Sequence, residues 1–171
     1  MNHEAKKENF AFCDSYPKSV IIIRWIILGV AFALGVYVLM SIRQILGVFY
    51  VVYSLAALTL ILPLSRCVSC FYYGKACNTA WGKLAAYLFP KGDESQYVAH
   101  YSYAIFLHLL WFIPLLASFF QLLRKRDLLA LIIFFSYLFI LLMERITLKK
   151  VACARCHQRE FCPAVPFRKA K

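Results

Sequence analysis

Six of the seven cysteines lie in two short segments that share almost the same spacing. The first cysteine segment, residues 67–77, has the pattern C-x2-C-x6-C, and the second cysteine segment, residues 153–162, has the pattern C-x2-C-x5-C. Two intervening residues let a pair of sulfurs point at one centre across a tight turn, as in zinc knuckles, iron–sulfur sites and dithiol redox pairs. We therefore predict metal ligands at Cys67, Cys70, Cys77, Cys153, Cys156 and Cys162.

Long apolar runs separate these cysteines along the 171-residue chain. Hydrophobic residues make up 63% of the sequence, and the mean hydropathy of +0.67 is well above the range of soluble domains. Runs of a length suited to a membrane-crossing helix cover residues 20–40, 45–64, 101–123 and 128–143. The sequence predicts an all-α integral membrane protein with four transmembrane helices, arranged as two hairpins that are each followed by a cytoplasmic cysteine knuckle.

This pattern divides the chain into five parts. They are a polar N-terminus at 1–19, a transmembrane hairpin at 20–64, a knuckle with an interfacial helix at 65–97, a second hairpin at 98–146, and a basic tail with the second knuckle at 147–171. Because both halves follow one plan, we expect a duplicated unit in which the second and fourth helices end as neighbours and the knuckles meet. The interfacial helix has an apolar face that we expect to lie on the bilayer, formed by Trp81, Leu84, Ala85 and Leu88.

Positive charge is distributed unevenly between the two ends of the predicted bundle. Of the 20 Lys and Arg residues, all but four fall on the side that bears the cysteines; the four are Arg43, Arg124, Lys125 and Arg126. The positive-inside rule therefore places both termini and both knuckles in the cytoplasm, and the protein in the cytoplasmic (inner) membrane. Lys and Arg beside anionic headgroups account for the net charge of +12, and the chain has no nucleic-acid-binding motif.

The cytoplasmic placement bears on what the cysteines do. Structural disulfides are rare there, so ligands or catalytic thiols are expected, unlike the four-span thiol oxidases, which keep their working cysteines on the oxidising side. We favour one or two zinc ions shared by both knuckles, in a structural or accessory subunit that binds another membrane or cytoplasmic protein. In cysteine spacing, the two segments resemble the binuclear zinc cluster of fungal transcription factors, which implies thiolates that bridge two metal ions.

Two alternatives remain open. Cys162-Pro163 resembles the Cys-Pro that closes bacterial ferredoxin runs, which implies an iron–sulfur cluster and electron transfer. A membrane thiol redox enzyme could instead use the C-x2-C pairs, although the chain contains no catalytic motif and is expected to be non-enzymatic by itself. Cationic neighbours are expected to lower the pKa values of the thiols in every case, namely Arg66, Lys75, Arg155 and Arg159.

The predicted spans also contain a few polar residues. His108 is expected to be buried and functional, whereas His100 lies near the interface; a haem would need a histidine on a second span, and none is present. Arg24 is expected to snorkel towards the headgroups, and Glu144 to form an interfacial ion pair with Arg145.

Outside the spans, Cys13 is expected to be a bystander thiol, with a seventh ligand as the alternative reading. Residues 166–171 are expected to be disordered, because they are basic and carry little apolar side-chain area.

Overall fold

The structure is a computed structural model that describes residues 13–160 and 162. All of the regular secondary structure in these residues is helical, and four of the helices are long and apolar enough to cross a membrane. They are α1 (Lys18–Ile42), α2 (Gln44–Cys67), α4 (Glu94–Lys125) and α5 (Leu128–Arg155), with the short helix α3 (Trp81–Leu88) between α2 and α4. The predicted all-α fold with four membrane-length helices is therefore confirmed, while the tail at 166–171 lies outside the described residues.

Each pair of consecutive long helices is joined by a very short turn. A single extended residue, Arg43, links α1 to α2. Between α4 and α5, Arg126 adopts a left-handed conformation at φ 50°, and the Asp127 carboxylate then caps α5 by accepting a hydrogen bond from the Ala130 amide at 2.7 Å. Turns this short force the paired helices to run antiparallel, so each pair is a hairpin. We call the end of the bundle with these turns the hairpin end and the other end the cysteine end.

The centre of the bundle is the crossing of α1 and α4. A Cβ atom on the buried Gly35 of α1 would lie only 3.0 Å from Pro114 Cγ of α4, so the two helices approach closely there. The other extensive helix contacts are α1 with α2, α1 with α5, α2 with α4 and α4 with α5, whereas α2 and α5 scarcely touch each other, which puts α2 and α5 on opposite sides of the α1–α4 pair. The α1–α4 contact therefore separates the bodies of α2 and α5, while the prediction of neighbouring ends concerns only the cysteine end of these two helices.

Polar groups within the bundle are hydrogen-bonded between helices. Tyr50 of α2 donates its hydroxyl to the Leu110 carbonyl of α4 at 2.8 Å, and the Gln121 side-chain amide donates to the Val38 carbonyl and to Ser41 Oγ, each at 2.8 Å. In a bilayer these groups have no water to bind, so interhelical partners remove the cost of burying them.

Both helices that lead into a cysteine segment widen before they end. α2 contains π-helical turns at Ala57–Ile61 and Pro63–Cys67, and α5 contains one at Leu148–Ala152. Such turns are rare and are found frequently at functional sites. In both halves of the chain, therefore, the first cysteine of the segment directly follows or closes a π-helical turn.

Candidate metal centre at the cysteine end

The two cysteine segments begin with the same backbone turn. The Cys70 amide donates to the Cys67 carbonyl at 3.3 Å, and the Cys156 amide donates to the Cys153 carbonyl at 3.3 Å. A second turn follows three residues later in each segment, with donor–acceptor distances of 3.0 and 3.1 Å. The repeated spacing in the sequence thus corresponds to a repeated local structure, which brings the first two cysteines of each segment to one side of a turn.

Two buried tyrosines hold these segments together at the cysteine end. Tyr16 precedes α1; its amide donates to the Ala76 carbonyl at 2.9 Å, and its hydroxyl donates to the Ala152 carbonyl at 2.5 Å. The Tyr72 hydroxyl donates to the Cys13 carbonyl at 2.5 Å and accepts a hydrogen bond from the His157 amide at 3.3 Å. The residues before α1 are therefore bonded to both cysteine segments, and the first segment is bonded to the second.

A single cavity of about 280 Å³ opens between the helix ends at this end of the bundle. All six cysteines of the two segments line it, namely Cys67, Cys70, Cys77, Cys153, Cys156 and Cys162. Cys13 is not part of the lining; its thiol donates to the Ser15 carbonyl at 2.9 Å. All of these thiols are free of disulfides. The folded chain thus brings both cysteine segments to one site, although α2 and α5 lie on opposite sides of the α1–α4 pair.

The sulfurs share this cavity without converging on a point. Among residues 13–160 and 162, no group of three or more His, Cys, Asp or Glu side chains has the arrangement of a formed metal site. Zinc thiolate bonds of about 2.3 Å require deprotonated sulfurs drawn to one cation. Neutral thiols have no comparable attraction for one another, so a cavity lined by thiols is the arrangement expected of this chain alone.

Burial sets the protonation of the thiols that lie beyond the helix ends. It raises the pKa of Cys70 to about 12 and the pKa of Cys156 to about 11. Nearby sulfurs of the other segment, Cys156 and Cys162, raise the pKa of Cys70 further, which is consistent with close approach of the two segments. Without a cation, both thiols are therefore protonated at neutral pH.

The pKa values of Cys70 and Cys156 are raised and not lowered as expected, because burial is the largest influence on each and no basic residue is among the main ones. Two of the basic side chains that were expected beside the thiols contact aromatic rings. Arg66 lies over the Tyr101 ring at 4.6 Å from the centroid, and Lys75 lies 3.9 Å from the centroid of the Phe71 ring.

Arg24 of α1 and Glu144 of α5 form an ion pair, whereas the sequence predicted a pair between Glu144 and Arg145. Arg24 Nη2 lies 3.1 Å from Glu144 Oε1, and Arg24 Nη1 donates to the Glu144 carbonyl at 3.3 Å. Arg24 is only 4% exposed, so it does not snorkel towards the headgroups. Glu144 and Arg145 are adjacent in a helix and point to different faces, which is why the expected pair does not form.

The two histidines of α4 occupy different surroundings. His108 is half-buried and lines the cavity together with Arg66, Glu144 and Arg145, so it lies with the other ionisable groups of the spans. His100 does not line the cavity, and its buried Nδ1 has no hydrogen-bond partner among the described residues.

Helix α3 packs on the first cysteine segment. Its predicted apolar face is only partly turned inwards: Ala85 is buried, Trp81 and Leu84 are half-buried, and Leu88 is 43% exposed. Gly82 on the same side of the helix touches the backbone of the segment, so α3 packs on the segment, and its place at the membrane interface stays a prediction.

Gly82 allows α3 to lie directly against the backbone of the first cysteine segment. A Cβ atom at that position would overlap the Tyr72 carbonyl oxygen and lie 2.7 Å from the Lys75 carbonyl oxygen. We expect Gly82→Ala to lower the free energy of unfolding by about 2 kcal/mol or more, since the obstacle is backbone between two cysteines. Thermal unfolding followed by tryptophan fluorescence measures the change.

Gly29→Ala is the matched control, since a Cβ at Gly29 meets nothing within 4 Å. It should leave the stability unchanged or slightly raised, because alanine favours a helix over glycine. Equal stability of the two variants would show that α3 does not press against the segment.

The chain matches no protein-family model, no curated protein and no solved structure.

Sequence reasoning missed the residues that join the parts of this site. Tyr16 and the partnership of Arg24 with Glu144 carry no local signal, since the groups they bond lie 136 and 120 residues away in the chain. Tyr97, whose hydroxyl lies 3.7 Å from Cys162 Sγ, was equally hidden. An arginine in an apolar run is a signal that a buried partner exists, but it does not identify that partner.

Proposed function

We propose that this chain is an integral membrane protein that carries one cysteine-ligated metal centre, formed jointly by the two cysteine segments. Zinc, as one or two ions, is the favoured metal, and its role is structural. The observation that carries the proposal is that all six cysteines line one cavity. The cytoplasm is the proposed compartment, because reduced thiols persist there and the basic residues concentrate at the same end.

The charges around the cavity support a centre with negative charge. Three arginines and one glutamate line it, which leaves two positive charges in excess: Arg24, Arg66, Arg145 and Glu144. A zinc ion bound by four thiolates carries a net charge of about −2, as does a two-zinc centre with six thiolates. Buried charge is stabilised by nearby charge of opposite sign, so the lining suits such a centre better than it suits a bare cation.

The position of the cavity supports a clamping role. The segments follow α2 and α5, which lie on opposite sides of the α1–α4 pair. A metal bound by both segments would tie together helix ends that otherwise share few contacts. A closed thiolate shell leaves no open coordination position for chemistry, which is why we propose a structural or accessory subunit with a membrane or cytoplasmic protein partner.

An iron–sulfur cluster is the second candidate, and one contact favours it. The Tyr97 hydroxyl lies 3.7 Å from Cys162 Sγ, and hydrogen bonds to ligand sulfurs are a principal means of setting cluster potentials. The cavity also continues from the cysteines to His108 within the membrane-length helices. A cluster in this position would serve electron transfer.

Thiol redox catalysis has less support. Reactive cysteines need lowered pKa values and access to solvent, whereas burial raises the pKa of both Cys70 and Cys156 well above neutrality.

Metal analysis with a visible absorption spectrum, on protein purified without oxygen, tests the proposal. Colourless protein with one or two zinc ions per chain is the expected result. A brown protein with iron and acid-labile sulfide would replace zinc by the second candidate. Protein that binds neither metal, even after incubation with each, would contradict a metal centre.

A further inference from the structure

All four membrane-length helices contribute an ionisable side chain to the cavity, and we call the part of the cavity lined by these side chains its inner half. These side chains are Arg24 of α1, Arg66 of α2, His108 of α4 and Glu144 of α5. Charged groups within membrane spans are costly and face the bundle interior when they serve a ligand or pathway. This set contains two arginines and only one carboxylate, so one positive charge remains after Arg24 pairs with Glu144.

Two guanidinium donors of these side chains are buried without a partner among the described residues. Arg24 uses Nη1 and Nη2 to bind Glu144, but its Nε has no partner among the described residues, although the residue is only 4% exposed. The buried Nε of Arg66 also has no partner in that part of the chain. A buried donor without an acceptor is unfavourable, so both nitrogens favour a ligand that brings acceptor oxygens.

The wall beside these donors is apolar. It is formed by side chains of α1, α2 and α4: Leu28, Leu58, Leu62, Leu107, Leu110 and Trp111. A ligand that satisfies both surfaces has an acidic, acceptor-rich head and an apolar body. The whole cavity, with its cysteine side included, has a volume of about 280 Å³, just below the range of about 300–1,000 Å³ for small-molecule sites, which suits a headgroup better than a whole lipid.

We propose that the inner half of the cavity binds the phosphate headgroup of an anionic phospholipid, with Arg24 and Arg66 as its donors. Arginine binds phosphate oxygens through charge-assisted hydrogen bonds, and basic pockets between transmembrane helices bind anionic headgroups. The apolar wall receives the beginning of the lipid's apolar part, and free phosphate would leave that wall uncovered. The site requires no metal.

Native mass spectrometry of the delipidated full-length protein tests this site. The probes are phosphatidylglycerol, phosphatidylcholine and inorganic phosphate, added separately to one detergent preparation. We expect phosphatidylglycerol to bind at least about tenfold more tightly than phosphatidylcholine, and phosphate alone to compete only weakly. Equal affinity for the two lipids would overturn the proposal, and full displacement by phosphate would assign the site to a free anion instead.

Arg66→Gln should weaken phosphatidylglycerol binding about tenfold, and Arg43→Gln at the hairpin end is the matched control. Arg66→Lys keeps the charge without the Nε donor and should be intermediate, which covers the case in which Arg66→Gln does not fold. Unchanged binding in both Arg66 variants would overturn the assignment. The same spectra report bound metal, so loss of lipid with retained metal, or the reverse, shows which of the two proposals fails.

Discussion

Replacing Cys67 or Cys153 by Ser is expected to release the metal from both cysteine segments at once. The two cysteines are 86 positions apart and lie at the ends of different helices, but both line the one cavity. If one centre joins them, either change removes a thiolate that the other segment depends on. Structural zinc contributes on the order of 10 kcal/mol of binding free energy in small zinc-binding peptides, so each variant should melt more than about 10 °C lower than the parent.

The double variant makes this result decisive. Cys67→Ser combined with Cys153→Ser should be scarcely less stable than either single variant, because the metal that couples the two sites is already lost. Metal content and thermal unfolding are measured on all three proteins. Losses that add, with half of the metal retained in each single variant, would mean two separate knuckles.

Cys13→Ser is the matched control for these variants. Cys13 lies beside the second cysteine segment, with its amide bonded to the Arg155 carbonyl at 3.0 Å, yet its thiol is not in the cavity lining. The variant should keep its metal and its melting temperature. Release of metal by this change would make Cys13 a seventh ligand.

The sequence was sufficient to predict the features that depend on local composition. Four apolar runs predicted four membrane-length helices, which the structure has. The six cysteines that the repeated spacing predicts as metal ligands line one cavity, and their role as ligands stays a prediction. The apolar run ends at 143, but α5 continues as a helix to Arg155. No proline or glycine lies between residues 144 and 155 to end the helix. Hydrophobic length therefore gave the existence of this helix and not its end.

Features that depend on contacts between distant residues could not be predicted in this way. The sequence shows that Arg24 lies in an apolar run, but its partner is 120 residues away and is set by the packing of α1 against α5. The raised pKa of Cys70 also depends on distant residues, since its largest cause is burial and the sulfurs of Cys156 and Cys162 raise it further. The partner of Arg24 and the pKa of Cys70 both depend on which groups the fold buries together, and the pattern of charges along the chain does not report this.

Glu144→Gln is expected to destabilise the bundle strongly, because it leaves the Arg24 charge buried without a counter-charge. The side chains of this pair are only 5% and 13% exposed, and removing one partner of a buried pair costs about 3–5 kcal/mol. The matched control is Glu94→Gln. Glu94 pairs with Lys91 at 3.0 Å, but both side chains are more than half exposed, so its loss should cost no more than about 1 kcal/mol. Thermal unfolding in detergent measures both.

Removing both charges separates stability from function at this pair. Arg24→Met combined with Glu144→Met should recover most of the stability lost in Glu144→Gln, because no uncompensated charge remains and the apolar side chains fill similar volumes. We expect this double variant to bind phosphatidylglycerol more weakly, since the Arg24 donor is gone. A double variant as unstable as the single one would instead mean that the ion pair itself holds α1 to α5. Recovery of stability with loss of the lipid would indicate that a costly buried charge is retained for the ligand.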